Sequence, residues 1–238
     1  MKPIVLVLMA GNGTRFSKAG YTAPKPLIEF LGKTMIEHVL DSVPLDADYI
    51  FIVQQNHIDE FKIDEKLRTI KANAIIVSTG GGVTEGAACS ALLVKEHLNN
   101  DRPLFLLNSD NILDWDAVKV TNDYLTSESD GFIAVFQDTD PKWSFAKLDE
   151  NGHVTQVAEK NPISDLATAG LYGWKKGSSF VKAAEQMIAK NIRVNNEFYV
   201  APVYNENVLM GEKITVGFVD KMHGVGTPED LNIYLAGK

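Results

Sequence analysis

The 238-residue sequence predicts an α/β fold built on a doubly wound, mixed but mostly parallel sheet, with a small C-terminal lobe. Three observations carry this expectation. Short, continuously apolar runs recur along the first 140 residues, amphipathic stretches separate them, and the first run ends in a glycine loop. Strands buried on both faces of a parallel sheet need such unbroken runs, and strand–helix alternation is the order of a doubly wound sheet. Ligands of such sheets bind beyond the carboxyl ends of the strands.

The expected strands cover residues 3–9, 49–53, 74–77, 104–107 and 132–136, with helices at 34–42, 84–98 and 114–126. After about residue 140 the pattern changes. Residues 145–157 read as a hairpin with Asn151-Gly152 at a tight turn needing positive φ. A strand at 168–174, a helix at 178–190 and a strand at 213–219 follow. Thr227 is then placed to cap a terminal helix, Pro228 occupies its first turn, and Glu229 and Asp230 complement its dipole. No linker, repeat or low-complexity tract interrupts the chain. One domain over residues 1–238 is expected, with 1–140 and 141–238 as its two parts.

At this length folding buries roughly 70–75% of the unfolded chain's surface, so no staples are required. The single Cys89 excludes an internal disulfide framework, and no apolar run reaches the ~18 residues of a membrane span. A soluble, reducing, cytoplasmic setting is expected. The net charge of −8 speaks against nucleic acid or an anionic membrane as partner. One segment reverses the sign: between Gly11 and Lys33 the cations Arg15, Lys18, Lys25 and Lys33 face only Glu29. An anionic ligand belongs there.

Gly11-x-Gly13 after a strand suggests phosphate binding, because glycine lets backbone N–H groups approach phosphate oxygens. Two familiar phosphate loops are excluded by position. A dinucleotide fingerprint needs glycine at position 16, which is Phe16, and a P-loop ending in Gly32-Lys33-Thr34 needs glycine at position 27, which is Leu27.

The run Met9-Ala-Gly-Asn-Gly-Thr-Arg-Phe16, followed by Pro24-Lys-Pro-Leu-Ile28 and Gly32-Lys-Thr-Met-Ile36, resembles the signature of the sugar-phosphate nucleotidyltransferase superfamily. The segments Thr84-Glu-Gly-Ala-Ala88, Asn108-Ser-Asp110, Val157-Ala-Glu-Lys-Asn-Pro162 and Gly226-Thr-Pro-Glu-Asp230 fall in the family's order. The resemblance implies a GT-A-like fold and an Mg²⁺-dependent enzyme. Such an enzyme joins a nucleoside triphosphate to a phosphorylated small-molecule acceptor and releases pyrophosphate, supplying precursors of a surface glycan, capsule or lipid-linked polymer.

It also implies roles. Ala10, Gly11, Gly13, Thr14, Glu85, Gly86 and Asn108 would bind the nucleotide. Arg15 would hold the triphosphate, Lys25 would sit beside the α-phosphate, and Asp110, at the carboxyl end of a buried strand, would be the Mg²⁺ carboxylate. Glu159 and Lys160 would receive the acceptor's hydroxyl and phosphate, with Gly170 and Glu197 as further acceptor-site candidates. In a strand neighbours face opposite ways, so Glu159 and Lys160 can meet one ligand only if pairing ends near them, as Asn161-Pro162 suggests. Asp110 also reads as a cap for a following helix, and Gly86 as simple helix-start geometry. Gly80-Gly81-Gly82 reads equally as lid or turn. Trp143, Tyr172 and Trp174 read as core or rim aromatics.

One departure stands out. The family commonly carries a second metal-binding Asp in the pattern Asp-x-Gly-Thr, and Gly224-Val225-Gly226-Thr227 has glycine there. Asp220, four residues earlier, is the candidate replacement, while imidazole suits Mg²⁺ poorly and leaves His223 aside. Two rival readings stay open: a CTP-dependent cytidylyltransferase acting on a phosphorylated polyol, choline-like compound or amino acid, and a nucleotide-binding regulatory module without turnover. A glycosyltransferase lacks a convincing Asp-x-Asp, since Asp138-Thr-Asp140 follows the wrong strand. Assembly into a homo-oligomer is left open.

Overall fold

Strand β1 (Ile4–Leu8) lies inside the sheet because its residues alternate between two apolar layers: Val5 and Val7 enter one core, Ile4 and Leu6 the other. The computed structural model describes residues 1–238. β1 pairs in parallel with β4 (Asp48–Val53) on one side and β6 (Leu104–Asn108) on the other, and β4 pairs with β5 (Ile75–Ser78). The chain thus moves outward from β1 to β5 and returns to β1's opposite side. This reversal places the ends of β1 and β6 together, with Leu8 opposite Asn108, at the switch point where open α/β sheets form crevices.

Beyond β6 the sheet becomes mixed. β11 (Leu166–Trp174) pairs antiparallel with β6 through Leu171–Trp174 and joins β9 (Ser144–Leu148) at Ala167 and Phe145. β10 (Val154–Glu159) closes that edge, while β8 (Gly131–Gln137) pairs with β11 and β12 (Ile214–Phe218) with β8. Following these pairings, only β10 and β11 run against the other strands, so the sheet is mixed and mostly parallel. Helices cover both faces, α3 (Gln55–Phe61) and α4 (Ile63–Ile70) among them, and β2 (Glu29–Phe30) with β3 (Lys33–Thr34) forms a separate two-stranded pair. No helix is long and apolar enough to cross a membrane.

β11 changes partner at a bulge. Its pairing with β8 jumps between Thr168 and Tyr172, and Gly170 takes φ 80° there. A Cβ on Gly170 would stand 2.6 Å from Asn111 Nδ2 and 2.9 Å from Asn108 Nδ2. Only glycine fits. Gly170→Val is expected to destabilise the protein by roughly 2–4 kcal/mol through strain and overpacking, read as a lowered denaturation midpoint. An unchanged midpoint would show that the bulge relaxes freely.

Several expected elements differ in extent. Helix 34–42 becomes α2 (Met35–Ser42), capped by Thr34, whose N–H and hydroxyl both donate to the Glu37 carboxylate. The expected helix 84–98 starts only at Ala87, because Gly86 holds φ 136°, and splits into α5 (Ala87–Leu92) and α6 (Lys95–Leu98), both packed on α8 (Gly177–Ala189). The expected helix 114–126 is shortened to α7 (Ala117–Thr126), since Asn111–Asp114 form β7, paired with β13 (Lys221–Gly224). The cap of α7 is Asp116, not Asp110. The expected tight turn at Asn151-Gly152 is instead a five-residue loop. Asp149 accepts the N–H groups of Asn151 and His153 there, and only Gly152 has positive φ. The terminal helix α10 (Pro228–Ala236) begins as read, with Thr227 accepting the N–H of Asp230. Gly80-Gly81-Gly82 forms a turn after β5, tied by Thr79 Oγ1 donating to the carbonyl of Gly82 at 2.6 Å.

Candidate active site

The segment after β1 is held open rather than folded back on itself. Gly13 takes φ 60°, a Cβ there would meet Lys25 Cβ at 3.3 Å, and α1 (Thr14–Lys18) follows. The N–H groups of Gly11 through Thr14 donate to no protein acceptor, and nothing lies within 4 Å of where a Cβ of Gly11 would be. Free N–H groups around open space form an anion cradle. Gln54, buried at the end of β4, fixes this loop from below, donating to the carbonyl of Ala10 at 2.8 Å and to Asn12 Oδ1 at 3.1 Å.

Two clefts of about 410 Å³ each meet at this point. The first is walled by the glycine loop, Lys25, Thr84, Gly86 and Glu197. The second is walled by Arg15, Lys142, Trp143, Glu159, Lys160, Gly224 and Asp230. Asn108, Asp110, Ala87 and Tyr199 line both, and Asp110 is the one carboxylate shared between them.

Lys25 sits on a single 3-10 turn (Lys25–Leu27) whose backbone Pro24 and Pro26 restrict. Its Nζ donates to Asp110 Oδ2 at 2.7 Å, with the side chains only 18% and 26% exposed. Asp110 is fixed by its surroundings: its carbonyl accepts Val225 N–H at 2.8 Å, and a Cβ on Gly226 would press to 2.7 Å from its Oδ2. No group of three or more His, Cys, Asp or Glu side chains gathers anywhere to cage an ion. That donor set still fits Mg²⁺, which takes one or two carboxylates and completes its octahedron with water and phosphate oxygens.

Asp220 does not join Asp110. The β7–β13 register pairs Gly224 with Asn111 and Lys221 with Asp114, and Asp220 follows at the far end, its N–H bonded to the carbonyl of Asp114. Four residues of strand separate it from Gly224, about 13 Å, and it lines a different concavity with Phe136 and Asp138. A shared ion is out of reach. Position 224 itself is filled from the side, since a Cβ there would lie 3.1 Å from the Trp143 ring.

Glu159 ends β10, and Lys160 turns into the left-handed region at φ 55°, its N–H held by the carbonyl of Trp143 at 2.9 Å. Pairing thus stops where both side chains must turn toward one cleft. Asn205, on α9 (Val203–Leu209), anchors this strand by bonding both N–H and C=O of Val157 at 2.8 Å. Burial pushes the Glu159 carboxyl above its ordinary pKa, Ser144 hydrogen bonding and the charge of Lys160 oppose the shift, and Glu197 adds to it. A carboxyl raised on folding contributes stability below its unfolded pKa and loses it as pH rises through the folded one. Glu159→Gln is therefore expected to raise the melting temperature at pH 8 relative to the wild type, with the difference vanishing near pH 4. A gain that persists unchanged at pH 4 would contradict this.

Other expected site residues are placed differently. Arg15 lines the second cleft, and its side chain makes no hydrogen bond or ion pair in the protein. Glu197 lines the first cleft instead of the second. The side chain of Glu85 pairs with Arg193 and lines neither cleft. Gly86 lines the first cleft, but its close approach is to the Phe198 backbone, 2.4 Å from a Cβ. Thr14 is exposed on α1, and Gly170 lies behind Asn108 and Asn111 rather than in the wall. Trp143 is a rim aromatic, Tyr172 lies in the cleft floor, and Trp174 is core, stacked on Tyr204. Sequence reasoning missed Gln54, Ser144, Lys142, Tyr199 and Asp230 as lining or supporting groups. Gln54 carried a usable signal, because it follows a buried strand in the manner that singled out Asp110.

A family model described as nucleotidyl transferase matches residues 4–208. Among solved structures, the chain is similar to the nucleoside-diphosphate-sugar pyrophosphorylase from Vibrio cholerae RC9, with a TM-score of 0.80 and 28% identity over 98% of this chain and 99% of that one. It is 27% identical over 172 residues to the mannose-1-phosphate guanylyltransferase catalytic subunit beta of Drosophila melanogaster, covering 70% of this chain and 47% of that protein. It is 25% identical over 175 residues to the bifunctional protein GlmU of Methanococcus aeolicus, covering 70% and 39%. The match thus spans less than half the length of either curated relative.

Proposed function

Because this chain belongs to the nucleotidyl transferase family, we propose that it transfers the nucleotidyl group of a nucleoside triphosphate to a sugar phosphate, releasing pyrophosphate, with Mg²⁺. The observation that carries this reading is the junction of the two clefts at Lys25 and Asp110. One cleft opens onto free N–H groups suited to a triphosphate, and the other presents Lys160 and Glu159 to a phosphorylated, hydroxylated acceptor. Similarity to a nucleoside-diphosphate-sugar pyrophosphorylase and to a mannose-1-phosphate guanylyltransferase supports the acceptor class.

In the proposed reaction an oxygen of the acceptor's phosphate attacks the α-phosphorus, a new P–O bond forms, and the bond to the bridging oxygen breaks. The electron pair departs with pyrophosphate. The attacking phosphate is already ionised near pH 7, with a second pKa of about 6, so no strong general base is required. The chain's contribution is positioning and charge. The N–H groups of Gly11 to Thr14 hold the triphosphate, Lys25 faces the α-phosphate, Arg15 meets the transferring group from the acceptor side, and Lys160 holds the acceptor's phosphate. Asp110, with water and phosphate oxygens, would hold Mg²⁺, which supplies neutralisation of phosphate charge when bound.

A screen of the common triphosphates against sugar phosphates and phospho-alcohols, read by pyrophosphate release with Mg²⁺, tests the reading. Release with at least one sugar phosphate is expected. Release only with a non-sugar phosphate would move the acceptor class, and tight nucleotide binding without any release would favour a regulatory module.

A further inference from the structure

The exposed side chain of Lys160 has one hydrogen-bond partner, and that partner also lines the site. Its Nζ donates to Tyr199 Oη at 2.7 Å, within the range of charge-assisted bonds, and stands 4.7 Å from the centre of the Tyr199 ring. Tyr199 lines both clefts, and its hydroxyl makes no other hydrogen bond in the protein. A tyrosine hydroxyl that accepts from an ammonium still has its own proton to give.

The position of that hydroxyl is built, not incidental. The preceding residue, Phe198, is buried, its N–H donates to the carbonyl of Glu85 at 2.9 Å, and its carbonyl accepts Ala88 N–H at 2.9 Å. Gly86 packs against the same backbone. Tyr199 is thereby stitched to the wall of the first cleft while its ring reaches the second. Lys160 meets it from the other side, on a left-handed residue fixed by Trp143.

We propose that Lys160 and Tyr199 act as a pair on the acceptor's phosphate: Tyr199 holds the Lys160 ammonium in place and donates its free hydroxyl proton to that phosphate. This rests on the nucleotidyl-transfer reading above. Restraining a flexible lysine before the ligand arrives lowers the ordering penalty of binding, and the hydroxyl adds a donor to a charged group.

The test uses Tyr199→Phe, Lys160→Met and the double variant in the full chain, with pyrophosphate release measured against acceptor and triphosphate separately. Tyr199→Phe keeps the ring and removes the hydroxyl. Its acceptor KM is expected to rise about tenfold, with triphosphate KM, kcat and melting temperature nearly unchanged. In the Lys160→Met background the same substitution should change acceptor KM far less, because the shared ligand contact is already lost. An unchanged acceptor KM, an equal rise in both KM values, or a full tenfold effect in the Lys160→Met background would overturn the pairing alone. Absence of pyrophosphate release by the unmodified protein with every substrate pair would overturn the function, and the pairing with it.

Discussion

Asp110→Asn is expected to lower turnover by about 10³-fold or more while leaving the fold intact. The substitution keeps the shape of the side chain and the backbone bond from Val225 to the Asp110 carbonyl, but removes the charge of the one carboxylate both clefts share. Stabilising charge that develops in a transition state is where a single group contributes most, and losing one such contact costs on the order of 10²–10³ in rate. If this carboxylate also holds Mg²⁺, as proposed, its loss should cost at least the upper end of that range. The control is circular dichroism, which should match the wild type. Wild-type turnover in this variant would remove Asp110 from the metal site.

Arg15→Met should lower turnover by roughly 10²–10³ with no change in thermal stability. Arg15 is exposed, its side chain has no ion-pair or hydrogen-bond partner, and it lines the second cleft. Its removal therefore breaks nothing in the folded protein. A residue with no structural contacts and a large kinetic effect acts on the ligand, whereas a fall in melting temperature alongside a small kinetic loss would assign Arg15 to the fold. Lys25 is expected to behave differently, because its loss also leaves the half-buried Asp110 without its 2.7 Å partner. Both rate and stability should fall there.

The fold's central strands were legible because β1, β4 and β6 are buried on both faces and so read as continuous apolar runs. The two-strand ribbon of β7 and β13 was not. Asn111–Asp114 follows Asp110 too closely to read as a separate strand, and its partner Lys221–Gly224 lies more than 100 residues away, so only the tertiary fold reveals the pairing. The same ribbon explains why Asp220 looked plausible in sequence: four residues is a short step along the chain but a long one along an extended strand. Glu159 and Lys160 were legible as neighbours at a strand end, since the Asn161-Pro162 pair that follows them marks where pairing stops. Tyr199 was illegible, because it reaches the site from an irregular segment between α8 and α9 whose course is set by Phe198 packing on Gly86.

Nucleotidyl transfer at the junction of the two clefts leaves its trace in the phosphorus-containing products. The most direct test is phosphorus NMR of a mixture of the protein, Mg²⁺, an active triphosphate and its sugar phosphate. Nucleotidyl transfer predicts equal amounts of pyrophosphate and a new diphosphate diester, formed as the acceptor's monoester signal declines, with both products absent for Asp110→Asn. Orthophosphate or nucleoside diphosphate as the released species, with the sugar monoester left intact, would contradict it.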